Sequence, residues 1–141
     1  MSIYYIIRTL PHKQQRYNTV GDYITDVFHD TTVITVSECG SPKYEFLVAI
    51  HEFIEHFLCK TRGIPEAVID EFDIEYEKAR QPADEDEPGN HPLAPYHKEH
   101  IFATHIEKLL AKELGVDWND YEETLDSLYL PPAVKSPGAD K

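Results

Sequence analysis

Basic residues are scarce in this chain. It has 13 lysines and arginines against 26 aspartates and glutamates, which gives a formal net charge of −13 with its eight histidines neutral. Binding to a nucleic-acid backbone needs clustered positive charge that displaces counterions. We therefore expect no direct binding to nucleic acid.

Long apolar runs, cysteines and glycine-rich loops are also scarce. The longest apolar runs fall far short of the roughly 20 residues that cross a bilayer, and the N-terminal segment lacks the pattern of a signal peptide. Two cysteines, Cys39 and Cys59, form no disulfide framework and have no metal-site spacing. No glycine-rich phosphate-binding pattern occurs. These features predict a cytoplasmic chain with no membrane partner and no nucleotide cradle.

The composition that remains is typical of one globular domain. Hydrophobic residues make up 41% of the 141 positions, which is enough for one modest core. We predict a single compact domain over residues 1–132. Residues 133–141, which follow two prolines, are predicted to form a disordered tail.

Strand-like segments precede helix-like segments along the chain. Runs of β-branched and aromatic residues predict strands at 3–8, 21–28 and 32–36, the last two joined by a turn at 29–31. Helical periodicity with proline and glycine end signals predicts helices at 43–62, 65–80, 95–114 and 118–129, with a mobile acidic loop at 81–95. This order predicts an α+β fold, in which a small antiparallel sheet packs on the long helix 43–62 and the later helices cover its other side.

The long predicted helix carries a pattern of metal-binding residues. His51 and Glu55 are four residues apart, so their side chains lie one turn apart on one side of the helix, at the border of its apolar arc, and can reach a common point. Glu52 lies where the metalloprotease motif His-Glu-x-x-His places its general base. His56 does not restore that motif, because it is about 140° from His51 around the helix, and it is predicted only as a candidate secondary residue of the site. A shared metal ion is one interpretation, and a solvated helix face is the other.

This helix resembles the active-site helix of the zincins, with Glu55 in place of the second histidine. Over residues 16–120 the chain is also similar to small phage and prophage proteins, in which a short sheet precedes a His-Glu-x-x-Glu helix. The resemblance implies a compact zincin-like layout, with His51 and Glu55 as metal ligands and Glu52 as the general base. It implies a site and no particular reaction.

A further acid stands out on the predicted helix 95–114. A projection at about 100° per residue places Glu99 near the middle of an apolar face that includes Phe102 and Leu109. A buried carboxylate must be protonated, paired or bound to a metal, so Glu99 is predicted as the third ligand; the alternative is an acid of the first helical turns that favours the helix dipole and reaches water. His100 points away from this face and would reach the site only at its rim. Asp73, on the helix before, could hydrogen-bond a ligand histidine from behind or lie in solvent.

Two functions follow from these residues. The first is a small metal-dependent, peptidase-like hydrolase, in which Glu52 activates water against a peptide or small-molecule carbonyl and three side chains hold Zn²⁺, namely His51, Glu55 and Glu99. Mn²⁺ or Fe²⁺ is an alternative, because two carboxylates make a hard site. The second function is a non-enzymatic acidic protein, such as a phage-type inhibitor, that binds a basic host protein or mimics nucleic-acid charge. The oligomeric state stays open.

Overall fold

A computed structural model describes residues 2–81 and 86–129 of the chain, and within these residues the predicted α+β order is confirmed. The strands are β1 (Tyr4–Leu10), β2 (Gly21–Asp26) and β3 (Thr31–Ser37). The helices are α1 (Pro42–Thr61), α2 (Glu66–Lys78), α3 (His97–Glu113) and α4 (Trp118–Leu128). Short 3-10 turns occur at His12–Gln14 and Pro88–Asn90. The predicted tail at 133–141 and part of the predicted loop at 81–95 lie outside the described residues.

The sheet is mixed, with the strand order β1-β3-β2. Strands β2 and β3 form the predicted antiparallel hairpin, whereas β1 pairs with β3 in parallel. The prediction of a purely antiparallel sheet was therefore wrong for β1. The reason is the path of residues 11–20, which carry the chain from the end of β1 across to the far edge of the sheet. Strand β3 takes the centre and buries alternate residues, namely Thr32, Ile34 and Val36.

Helix α1 lies against the sheet and begins and ends at strong local signals. The Ser41 hydroxyl accepts a hydrogen bond from the Tyr44 amide, and Pro42 occupies the first turn. Gly63 follows the helix with a φ of +70°, a conformation that favours glycine at this position. The buried side of the helix comprises Leu47, Val48, Ala49, His51, Glu55, His56 and Cys59. His51 and Glu55 are thus part of the buried side of α1, whereas the sequence analysis placed them at the border of its apolar arc.

Helix α3 packs along α1 through a face that the sequence projection missed. Its buried residues are Glu99, His100, Ala103, Glu107 and Ala111. The predicted apolar face is largely outside, since Phe102 is 50% exposed and Leu109 is 51% exposed. Polar side chains therefore line the contact between α1 and α3. None of the helices in the described ranges combines the length and the apolar stretch needed to cross a bilayer.

Candidate metal centre

Three buried donor atoms converge between α1 and α3. Glu55 Oε2 lies 3.0 Å from His51 Nε2 and 2.9 Å from His100 Nδ1. The two imidazole nitrogens are 3.2 Å apart. Among the described residues, this is the group of histidine, cysteine and acidic donors close enough to share one metal ion.

The dimensions of this triangle fit a metal ion. Ligand atoms at about 2.0–2.1 Å from a tetrahedral Zn²⁺ are separated by about 3.3 Å, and ligands on one face of an octahedral ion at about 2.2 Å are separated by about 3.1 Å. The observed separations of 2.9–3.2 Å are close to both values. Two imidazoles and one carboxylate also form a donor set used by catalytic zinc sites and by non-haem Fe²⁺ sites. The residues present therefore fit a single divalent cation.

Glu107 supports His51 from behind. Its Oε1 lies 2.7 Å from His51 Nδ1, and its other carboxylate oxygen accepts a hydrogen bond from the Tyr121 hydroxyl. When His51 Nδ1 donates its proton to Glu107, Nε2 is left to face the other two donors. A carboxylate in this position is a usual partner of a metal-binding histidine, because it orients the ring and raises its basicity. The sequence analysis did not find this residue.

The turn at Pro88–Asn90 holds His100 from its other side. Gly89 packs so closely that a Cβ added to it would overlap the His100 imidazole. Glu87 Oε2 lies 3.0 Å from His100 Nε2, although the two atoms do not have hydrogen-bond alignment. The imidazole is therefore held in place mainly by packing against the turn and by its contact with Glu55.

Glu52 is a half-buried carboxylate that lines the pocket next to the three donors. Gly21 on β2 makes room for it, since a Cβ there would lie 2.6 Å from Glu52 Oε1. Within the described residues its carboxylate has no hydrogen-bond or ion-pair partner. The pKa of Glu52 is raised well above its usual range, mainly by burial and to a smaller extent by the charge of Glu55. An unpartnered carboxylate with a raised pKa is a stronger base than an ordinary carboxylate, which suits it to accept a proton.

The charges of the metal-free cluster balance one another. Burial by itself lowers the pKa of His100, but its contacts with Glu55 and Glu87 outweigh burial and raise the pKa to about 10. Burial by itself raises the pKa of Glu55, but hydrogen bonds from His100 and His51 lower it to about 2. In the absence of metal, the protonated imidazoles supply the positive charge that stabilises the Glu55 carboxylate. A bound divalent cation would supply that charge instead.

The structure brings together the predicted pair His51 and Glu55 but not the predicted third ligand. Glu99 is buried, and its Oε2 lies 2.6 Å from Arg62 Nη1, near the end of α1. The need of this carboxylate for a partner is met by a guanidinium and not by a metal. The third donor is His100, which the sequence analysis had placed at the rim.

The two other predicted accessory residues also lie outside the cluster. His56 is buried among aromatic rings, with centroid distances of 6.1 Å to Tyr5 and 5.2 Å to Tyr23. Asp73 accepts hydrogen bonds from the hydroxyls of Tyr96, at 2.5 Å, and Tyr17, at 3.2 Å. Asp73 therefore neither hydrogen-bonds a histidine nor lies in solvent, the two roles considered for it from the sequence, although it lines the same pocket.

The donors border a small cavity. About 60 Å³ of it admits water-sized molecules, enough for a few waters, and the rest of the pocket opens to solvent. The cavity is lined by β2, α1, α2, the Pro88–Asn90 turn, α3 and α4. The arrangement combines one candidate metal ion, one free carboxylate and room for water.

Three comparisons with known proteins gave no match: no protein-family model, no curated protein and no solved structure is similar to the chain. The resemblance to zincins and to small phage proteins stays a prediction.

Proposed function

We propose that this protein is a small metal-dependent, peptidase-like hydrolase whose metal ion is bound by His51 Nε2, Glu55 Oε2 and His100 Nδ1. The observation that supports the proposal is the triangle of donor atoms with sides of 2.9–3.2 Å. The carboxylate of Glu107 behind His51 adds to it, because a histidine that binds metal usually donates its other ring N–H to such a group.

Zn²⁺ is the ion that we propose for this centre. A set of two histidines and one glutamate is softer than the set with two carboxylates predicted from the sequence, and it matches a donor set of catalytic zinc sites that keep a fourth position open. Mn²⁺ and Fe²⁺ are the alternatives for the same donors. We place the activity in the cytoplasm, where Cys39 and Cys59 would stay free thiols.

In this proposal a divalent ion held by His51, Glu55 and His100 would supply a Lewis acid for the carbonyl of a peptide or small-molecule substrate. Glu52 accepts a proton from the attacking water and later passes it to the leaving group. The three metal ligands stay fixed because α1 carries two of them and the packing against α3 positions the third. The chemistry therefore depends on one mobile proton and on one carboxylate that has no other partner.

Metal analysis of the purified chain tests the proposed ligands. We expect about one ion per chain, and the variants His51→Ala, Glu55→Ala and His100→Ala should each weaken metal binding by about tenfold or more. His105→Ala is the matched control, because His105 is exposed on the same helix as His100. The proposal is wrong if the three ligand variants keep wild-type metal content.

Glu52→Gln separates the general base from the ligands. The amide has the shape of the carboxylate without its basicity, so the variant should keep its metal and lose hydrolysis of a peptide substrate. The measurement is metal content together with turnover of the same preparation. Loss of metal in Glu52→Gln would instead identify Glu52 as a ligand.

The net charge of −13 favours a second candidate, an acidic protein that binds a basic protein partner. Part of this charge is internal, since five acids among the described residues are buried: Asp22, Glu55, Asp73, Glu99 and Glu107. Those acids cannot form a docking surface. A chain that binds no metal but captures a basic protein in a strongly salt-dependent way would support this candidate over the hydrolase.

A further inference from the structure

The pocket beside the candidate metal centre is strongly acidic. Among the described residues that line it there is no lysine and no arginine. The carboxylates come from several elements and comprise Asp22, Glu52, Glu55, Asp70, Asp73, Glu87 and Glu107. A substrate that enters this pocket meets negative charge beyond the metal ligands.

Most of these acids already have a partner or a task. A divalent ion would offset the charges of Glu55 and Glu107 beside it. Asp22 receives two hydrogen bonds from the Arg16 guanidinium, at 2.7 and 2.9 Å. Asp73 is different, because it is 8% exposed and accepts only from neutral hydroxyl groups. It is a buried carboxylate in the pocket wall with no cation.

The surroundings of Asp73 suit a positively charged group. A carboxylate can accept about four hydrogen bonds, and the hydroxyls of Tyr96 and Tyr17 use two of these positions. The same tyrosines line the pocket, and the only cation that lies over either ring among the described residues is Arg16, 5.8 Å from the centroid of Tyr17 and paired with Asp22 and Asp70. The pKa of Asp73 is raised to about 7, mainly by burial, as expected for a carboxylate that lacks a cation.

We infer that the hydrolase acts on substrates that carry a protonated amine or a guanidinium, which Asp73 binds between Tyr17 and Tyr96 while the scissile carbonyl lies at the metal centre beside Glu52. This inference rests on the proposed function and names its substrate class. Phosphate esters, and substrates with a carboxylate near the scissile bond, are disfavoured because the acids of the pocket repel them.

Binding of charged hydroxamates tests the inference without requiring turnover. The hydroxamate group chelates the metal ion, and its alkyl chain can end in an amine, a methyl group or a carboxylate. Calorimetry with the metal-loaded protein, over a series of chain lengths, should reveal a length at which the amine binds about tenfold more tightly than the methyl compound, as one charge-assisted hydrogen bond allows. The carboxylate compound should bind most weakly.

A pair of variants locates the preference. Asp73→Asn should abolish the difference in affinity between the amine and methyl compounds. Glu71→Gln is the matched control, because it removes the same charge from an exposed position of α2 and should keep the advantage.

Two results separate the possible failures. Equal binding of the amine and methyl compounds at every length, in wild-type protein, overturns the substrate class and leaves the hydrolase intact. A metal-loaded chain that binds none of the hydroxamates overturns the proposed function and this inference with it. The comparison of the amine and methyl compounds on wild-type protein needs no variant, so it tests the substrate class even if Asp73→Asn fails to fold.

Discussion

Glu107 is the residue that determines which nitrogen of His51 faces the candidate metal. Its carboxylate lies between His51 Nδ1 and the Tyr121 hydroxyl and is buried with both. A buried acid that accepts two hydrogen bonds has little freedom to move, so the ring of His51 is fixed before any ion binds. Such orientation lowers the entropy that a ligand loses on binding metal.

Glu107→Gln should therefore weaken metal binding by about 10- to 100-fold while the fold is kept. The amide can retain one hydrogen bond, but it no longer carries the charge that makes His51 a stronger donor. Competition with a coloured chelator measures the affinity. Glu113→Gln is the control, since Glu113 is exposed near the end of the same helix. Equal affinities of the two variants would contradict the role of Glu107.

Two glycines permit the closest approaches in the site, and they make separable predictions. Gly89→Ala should displace the His100 ring and lower metal content, because the added Cβ would overlap the imidazole. Gly21→Ala should displace Glu52, whose Oε1 would lie 2.6 Å from the added Cβ, and should lower turnover with the metal retained. Metal analysis and a peptide-hydrolysis assay distinguish the two variants. The opposite result, in which Gly21→Ala loses metal and Gly89→Ala keeps it, would contradict the roles of His100 as a ligand and Glu52 as the general base.

At the scale of elements, the sequence predicted the local structure well because its signals are local. Ser41 and Pro42 start α1, Gly63 ends it, and a polar turn joins β2 to β3, as expected. The pairing of β1 with β3 depends on the path of residues 11–20, and no local pattern specifies such a path. The parallel edge of the sheet was therefore beyond the reach of sequence periodicity.

The difference between local signals and tertiary packing also explains why the sequence analysis missed the third candidate ligand. The projection of α3 took its large apolar residues, such as Phe102, as the inner face and turned His100 outward. In the structure the inner face is polar, because the candidate site lies there. Two small residues on one stripe, Ala103 and Ala111, carry the signal of a close helix contact, and His100 and Glu107 lie on that stripe. Small residues at helical spacing would have identified the correct face.

Ala103 is the position at which the packing of α3 on α1 can be tested. It has no exposed surface and lies between His100 and Glu107 on the buried face of the helix. Ala103→Leu should force the helices apart, destabilise the fold by about 1–3 kcal/mol and weaken metal binding, since the ligands come from both helices. Phe102→Leu, at a half-exposed position, should change neither. Metal titration and chemical denaturation measure both effects, and tight metal binding in Ala103→Leu would mean that the helix spacing does not set the site.

At the scale of the whole molecule, the site couples elements that are far apart in the chain. His51 and Glu55 come from α1, and His100 comes from α3, with α2 between them in the sequence. The candidate ligands converge only in the folded state, so the free energy of metal binding would add to the free energy of folding. In the metal-free protein the imidazolium groups take over part of this stabilisation.

This coupling predicts how stability depends on pH with and without metal. The pKa of His100 is raised to about 10 in the folded protein, against about 6.5 in an unfolded chain. Its protonated form therefore stabilises the metal-free fold fully below about pH 6.5, and this contribution is lost as the pH rises toward 10. Metal binding requires the neutral imidazole, so the ion replaces protons and its contribution grows over the same range.

The melting temperatures with zinc and with chelator should thus be close near pH 6 and diverge steadily toward pH 9. Thermal melts at several pH values, with each buffer matched in ionic strength, measure the gap. In His100→Ala the gap should be small at every pH, because the variant lacks both the titrating ring and one ligand, whereas His105→Ala should behave as the wild type. A gap that stays constant from pH 6 to pH 9, or that survives in His100→Ala, would mean that the ion binds elsewhere, since only an ion bound at this imidazole must displace its proton.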